Sequence, residues 1–117
     1  MIASYPDRVF QTWEYRVSHG SLLIRSPKGP DAVHNIDVVF DGVEYLSLPR
    51  FLHGLVLAYG TCEDLVAAGV TMHEVAGDRV YVLVSQGQRH YVVASSCRVN
   101  ENDGDIFDSP FEDSRIW

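Results

Sequence analysis

Five histidines and two cysteines are the residues best suited to chemistry in this chain. His19, His34, His53, His73 and His90 fall at unequal spacings, with no His-x-His pair and no His-Glu-x-x-His on which to build a zinc site. His73-Glu74 is a fragment of that last motif, but Val75 to Gly77 brings no second ligand. Cys62 and Cys97 are too few for a disulfide framework and lack zinc-ligand spacing. Ser95-Ser96-Cys97 has no Gly-x-Ser-x-Gly elbow around it, and a Cys97–histidine pair would have to be assembled in space. Gly42, Gly54, Gly60, Gly69, Gly77 and Gly87 stand singly, as turn residues do, and none belongs to a phosphate loop. The sequence therefore predicts a protein that is not an enzyme, with no catalytic residue, no metal ligand and no cofactor.

Charge points elsewhere. The net charge is −7, and residues 99–113 hold Glu101, Asp103, Asp105, Asp108, Glu112 and Asp113 with no Lys or Arg. Subtracting those six charges leaves the rest of the chain at −1. Asn100 to Asp105 invites a calcium reading, but it fails the EF-hand template: with Gly104 sixth, Val99 would be first and Pro110 twelfth. Residues 99–117 form an acidic-aromatic C-terminal segment in which Phe107, Phe111 and Trp117 alternate with acids. A solvated tail has no need of those rings. Either they dock on the protein's own sheet, or with Asp103, Asp105 and Asp108 they form a binding strip, acids steering and aromatics anchoring a basic protein partner. Self-association is the other use of such a strip. No basic stripe follows a phosphate backbone, so no nucleic-acid partner is expected. No apolar run approaches ~18 residues and Met1 to Phe10 is no secretory signal, so a cytoplasmic protein without a membrane partner is expected.

The elements that position these residues read as strands. With 117 residues, 46% of them hydrophobic and 21% charged, the chain is one soluble-type domain, 1–117. Asp41-Gly42 lies between two β-rich runs and predicts a hairpin with Phe40 facing Val43 and Val38 facing Tyr45. His19-Gly20 predicts a second, pairing Val17 with Leu22, Tyr15 with Ile24, Trp13 with Ser26 and, on the other face, Glu14 with Arg25. Gln86-Gly87 predicts a third, with Val82 facing Tyr91, Val80 facing Val93 and both faces apolar enough to be covered. Residues 1–10 read as a lead-in or edge, 26–31 as a loop, Pro49 to Gly54 as one helical turn, Leu55 to Tyr59 as a buried strand and Val70 to Val75 as another strand. Thr61 and Gly69 can cap the one credible α-helix, packed through Leu65, Val66 and Ala68. The expected fold is mainly β: an antiparallel, hairpin-built sandwich or half-barrel of about 6–8 strands with one short α-helix over about 61–69.

Trp13-Glu14-Tyr15-Arg16-Val17-Ser18-His19, with Leu22 to Ser26 after it, resembles the opening of small uncharacterised actinobacterial proteins. Asp37 to Pro49 and Asp103 to Pro110 are similar to the same group. That resemblance implies a bacterial origin and a stand-alone small domain, and no activity. The reading that follows is an immunity-type or regulatory domain acting by protein–protein contact. Its competitor is a small-ligand-binding β-barrel whose cavity is lined by Trp13, Tyr15, Tyr45, Tyr81 and Tyr91.

Overall fold

Gln86 and Gly87 both take positive φ, at 51° and 75°, the backbone that a two-residue turn matched to strand twist requires. They join β6 (Arg79–Ser85) to β7 (Gln88–Ala94). The register is the expected one, with Val82 opposite Tyr91 and Val80 opposite Val93. The computed structural model describes residues 1–30, 32–70 and 79–104. Around this hairpin are β1 (Ala3–Arg16), β2 (Ser21–Ser26), β3 (Asn35–Asp41), β4 (Tyr45–Ser47), β5 (Phe51–Tyr59), helix α1 (Cys62–Ala68) and β8 (Ser96–Asn102). Among the described residues all pairings are antiparallel, in one eight-stranded sheet of order β4-β7-β6-β5-β1-β2-β3-β8. The fold is thus the mainly-β, antiparallel class expected, built as a single sheet.

The ladder is not closed, yet it rolls until its two ends meet. β4 follows β3 across only 42–44, and β8 follows β7 across Ser95 alone. Backbone bonds tie this corner: Ser95 N–H donates to the Asp41 carbonyl at 3.0 Å and Glu44 N–H to the Val93 carbonyl at 2.8 Å. Phe40 and Tyr81 belong to strands that are not ladder neighbours, but their rings meet edge to face at 5.3 Å across the interior. Inside lie Phe10, Leu22, Ile24, Val38, Leu52, Leu55, Leu57, Leu83, Val92 and Ala94, none more than 1% exposed. Burial on this scale contributes roughly 1.5–3 kcal/mol per large side chain, and it is the main force holding the roll. α1 covers the outside through Leu65 against Val80 and Val93.

Several local expectations give way to this topology. Asp41-Gly42 makes no hairpin: β3 pairs with β2 and β8, and β4 pairs with β7. Gly42, at φ 65°, is instead the corner of the roll, where an added Cβ would overlap Ser95 Oγ. In the first hairpin Arg16 pairs with Ser21 and Tyr15 with Leu22, two residues off the expected register, because Val17 to Gly20 form a four-residue turn. A bulge between Thr12 and Glu14 then turns Trp13 to the outer face, where it packs on Leu23 and Val39. Residues 3–10 are no lead-in: β1 is central, and it shifts register near Pro6 where β5 carries Gly54 at φ 78°. Phe51 onward is strand, so the helical turn over Pro49 to Gly54 does not form. α1 has the expected caps, with Thr61 and Asp64 in a capping box and Gly69 left-handed at φ 77°, but Val66 is exposed. The strand expected over Val70 to Val75 lies, from residue 71 on, outside the described residues.

Candidate functional site

β2 and β3 are buried on both faces, and their outer faces carry charge. Arg25 and Asp37 are cross-strand partners, each 2% exposed. The guanidinium forks onto the carboxylate, Nε donating to Oδ1 at 2.6 Å and Nη2 to Oδ2 at 3.0 Å. Trp13, swung outward by its bulge, lies under the same guanidinium at 5.4 Å from ring centroid to Cζ. Asn102 of β8 completes the carboxylate, its Nδ2 donating to Asp37 Oδ2 at 2.9 Å. A pair so buried holds the chain only because its hydrogen bonds are met.

The same network fastens the root of the acidic segment. Asn35, fully buried, donates from Nδ2 to Asn102 Oδ1 at 3.1 Å and to the Gly104 carbonyl at 2.7 Å. Its own Oδ1 accepts the Lys28 N–H at 2.7 Å, which fixes the loop after β2. Asp103 is gripped from that loop: Lys28 Nζ donates to its carbonyl at 2.7 Å, and its carboxylate meets His34 Nδ1. Arg8 braces the loop from β1, donating to the carbonyls of Ser26 and His34 at 3.0 and 2.8 Å. Asp103 keeps 72% of its side chain exposed, so its charge is held in place yet faces water. Of the expected binding residues, Asp103 is therefore the one the structure places. Asp105, Phe107, Asp108, Phe111 and Trp117 lie outside the described residues.

The reactive groups are occupied otherwise. Cys97 pairs with Phe40 and packs on the interior, where burial and then the nearby Asp41 carboxylate push its thiol up to about 12. Raised in this way, the partly buried thiol is held in its protonated form at neutral pH. Cys62 is exposed at the start of α1. On that helix Asp64 accepts from Arg89 Nη2 at 2.6 Å, which holds its carboxyl below the usual range against the opposing effect of burial. Among the described residues no group of three or more His, Cys, Asp or Glu converges on a metal-sized space.

Of the five aromatics expected around a cavity, Tyr81 packs on Phe40 and Tyr59, and Trp13 lies outside. Tyr15 is 42% exposed, and Tyr45 packs beneath α1, donating its hydroxyl to the Ala68 carbonyl at 3.1 Å. One cleft, of about 280 Å³, opens between Pro49, Phe51, Leu52 and the β6–β7 turn, with His90 and Gln88 on its wall. A second, of about 310 Å³, lies between β1 and the loop after β2. Arg25-Asp37 is the feature that pattern reading missed. Its signal was a charge of each sign in the middle of two otherwise apolar strands, Leu22 to Ser26 and Ile36 to Phe40. No family model matches this chain, and neither a curated protein nor a solved structure does.

Proposed function

We propose that this chain is a non-enzymatic small bacterial domain that acts in the cytoplasm by protein–protein contact, as an immunity-type or regulatory protein. Its contact element is the acidic-aromatic segment, with Asp103, Asp105, Phe107, Asp108, Phe111 and Trp117 facing a basic partner. The observation carrying this reading is the fastening of Asp103. His34, Lys28 and Asn35 fix the root of a segment holding six of the chain's acids against a body near neutrality. A charged strip on a fixed root steers a partner to one place, which raises encounter rate and specificity more than affinity.

The competing reading is a ligand-binding barrel. It draws on the cleft at Pro49, Phe51, Leu52 and His90, but at about 280 Å³ that cleft lies at the small end of ligand sites, and among the described residues Phe51 is the one Phe, Tyr or Trp on its wall. Capture from the native host distinguishes the two. The intact chain retains a basic protein, and a chain with Asp105→Asn, Asp108→Asn, Glu112→Gln and Asp113→Asn does not. Equal capture by both chains removes the segment from the contact.

A further inference from the structure

The mouth of the rolled sheet beside the β6–β7 turn is polar where the face behind it is apolar. Tyr81 faces Val92 and Leu83 faces His90, and the last pair before the turn is Ser85 with Gln88. Residues two apart on a strand share a face, so Ser85, Gln88 and His90 continue the face on which Tyr81 and Leu83 are buried. They form one wall of the cleft of about 280 Å³, and Pro49, Leu52 and the ring of Phe51 form the other. Both walls are fixed. Ser85 Oγ donates to the His53 carbonyl at 3.1 Å. Thr12 of β1 donates from its N–H to the Arg50 carbonyl at 2.9 Å and from Oγ1 to the Pro49 carbonyl at 3.1 Å. The Arg50 guanidinium lies 5.1 Å from the centroid of the Phe51 ring and holds it from one side.

Gln86 ties the turn to the cleft. Among the described residues it is the one non-glycine with positive φ, at 51°. Asn, Asp or Gly takes that place in a two-residue turn more easily, and backbone strain of this kind gathers at ligand clamps. Gln86 lines the cleft, and neither its amide, nor that of Gln88, nor the His90 ring makes a hydrogen bond to a described residue. The lining residues among those described include no carboxylate, Lys or Arg, so a charged ligand meets no opposite charge there. Amide, imidazole and hydroxyl can each both donate and accept, which is what a set of neighbouring hydroxyls on a ligand asks of its site. Phe51, Pro49 and Leu52 suit the C–H face of the same ligand.

We propose that this cleft binds a single uncharged sugar ring, its hydroxyls on Gln86, Gln88 and His90 and its C–H face on Phe51 and Pro49. A space at the small end of ligand sites takes one such ring, and fixed walls spare it the cost of ordering the site. This is a site at the rim, not the aromatic-lined interior cavity of the competing barrel. It serves beside the protein contact and does not rest on it.

Amide-detected NMR of the full chain tests it, with the methyl glycosides of glucose, galactose, mannose and N-acetylglucosamine as probes and glucuronate as the charged counterpart. At least one neutral sugar should shift the backbone signals of residues 85–90 and the side-chain amides of Gln86 and Gln88, saturating with a Kd on the order of 1–10 mM. Glucuronate should bind more weakly than glucose. Gln86→Gly separates ligand role from turn role: glycine relieves the positive φ, so the variant should melt higher while its sugar affinity falls about tenfold. Unchanged affinity in Gln86→Gly overturns the proposal, whatever its melting point. So do shifts centred away from 85–90, glucuronate binding as well as glucose, or no saturable shift with any neutral sugar at roughly 100 mM. Capture of a basic protein by the acids is untouched by either result.

Discussion

Replacing Arg25 by Met should be among the most damaging single changes in the protein. The substitution keeps an apolar stem of similar length but leaves Asp37 at 2% exposure with no guanidinium in front of it. Two charge-assisted bonds, at 2.6 and 3.0 Å, go with it, as does the cation over Trp13. Asn102 still donates one bond, too little to replace a full opposite charge. Stranding one member of a buried pair costs about 3–5 kcal/mol. Domains of this size have roughly 5–15 kcal/mol in total, so Arg25→Met gives up a large share of it. With a urea slope near 2 kcal/mol per molar, the unfolding midpoint should drop by about 2 M. Arg25→Met with Asp37→Leu removes both charges and should recover most of the loss, because the desolvation cost of the carboxylate disappears with it. Equilibrium urea unfolding of the three variants against the intact chain decides the matter. A loss under about 1 kcal/mol for Arg25→Met, or a double variant no better than the single, would refute the account of this network.

Three smaller predictions follow from other parts of the fold. Alkylation of the folded chain at mildly alkaline pH should label Cys62 alone, with Cys97 reacting only after denaturation, since its thiol is pushed up to about 12; mass mapping of the adducts reads this directly. Gly42→Ala should lower stability by more than Gly69→Ala does, although both glycines have positive φ. The added methyl meets Ser95 at Gly42 and, among the described residues, nothing within 4 Å at Gly69, where the ~1–2 kcal/mol backbone cost applies; thermal melts compare them. Asp64 is held below its ordinary pKa by Arg89, so the pair's contribution is present above the unfolded value near 4 and is lost as pH falls through the lower folded value. Arg89→Met should therefore be less stable than the intact chain at neutral pH, with the gap closing on acidification past about pH 4 when followed by denaturant melts.

What the sequence disclosed depended on how local its cause was. Gln86-Gly87 fixed both turn and register because the φ values needed there are a property of two residues. Thr61 and Gly69 marked the helix for the same reason. Asp41-Gly42 carries an equally local preference for positive φ at Gly42, but that preference serves a hairpin and a corner alike. The choice was made by β8, some fifty residues on, which takes the partner position beside β3. Trp13 was misplaced because a single bulged residue reverses a strand's two faces, and nothing near Thr12 to Glu14 announces a bulge. The root of the acidic segment was half legible. Asp103 was identified by its charge, whereas Lys28 and His34 come to it from a loop some seventy residues earlier, and Asn35 at the start of β3 holds its neighbours Asn102 and Gly104.

The most direct measurement of the proposed role is the affinity of the protein captured from the host, taken as a function of salt. If the acids make the contact, binding to the intact chain weakens steadily as ionic strength rises, and the four-fold neutralised chain binds weakly with a shallower slope. An affinity indifferent to salt and unchanged by neutralising Asp105, Asp108, Glu112 and Asp113 would contradict the account.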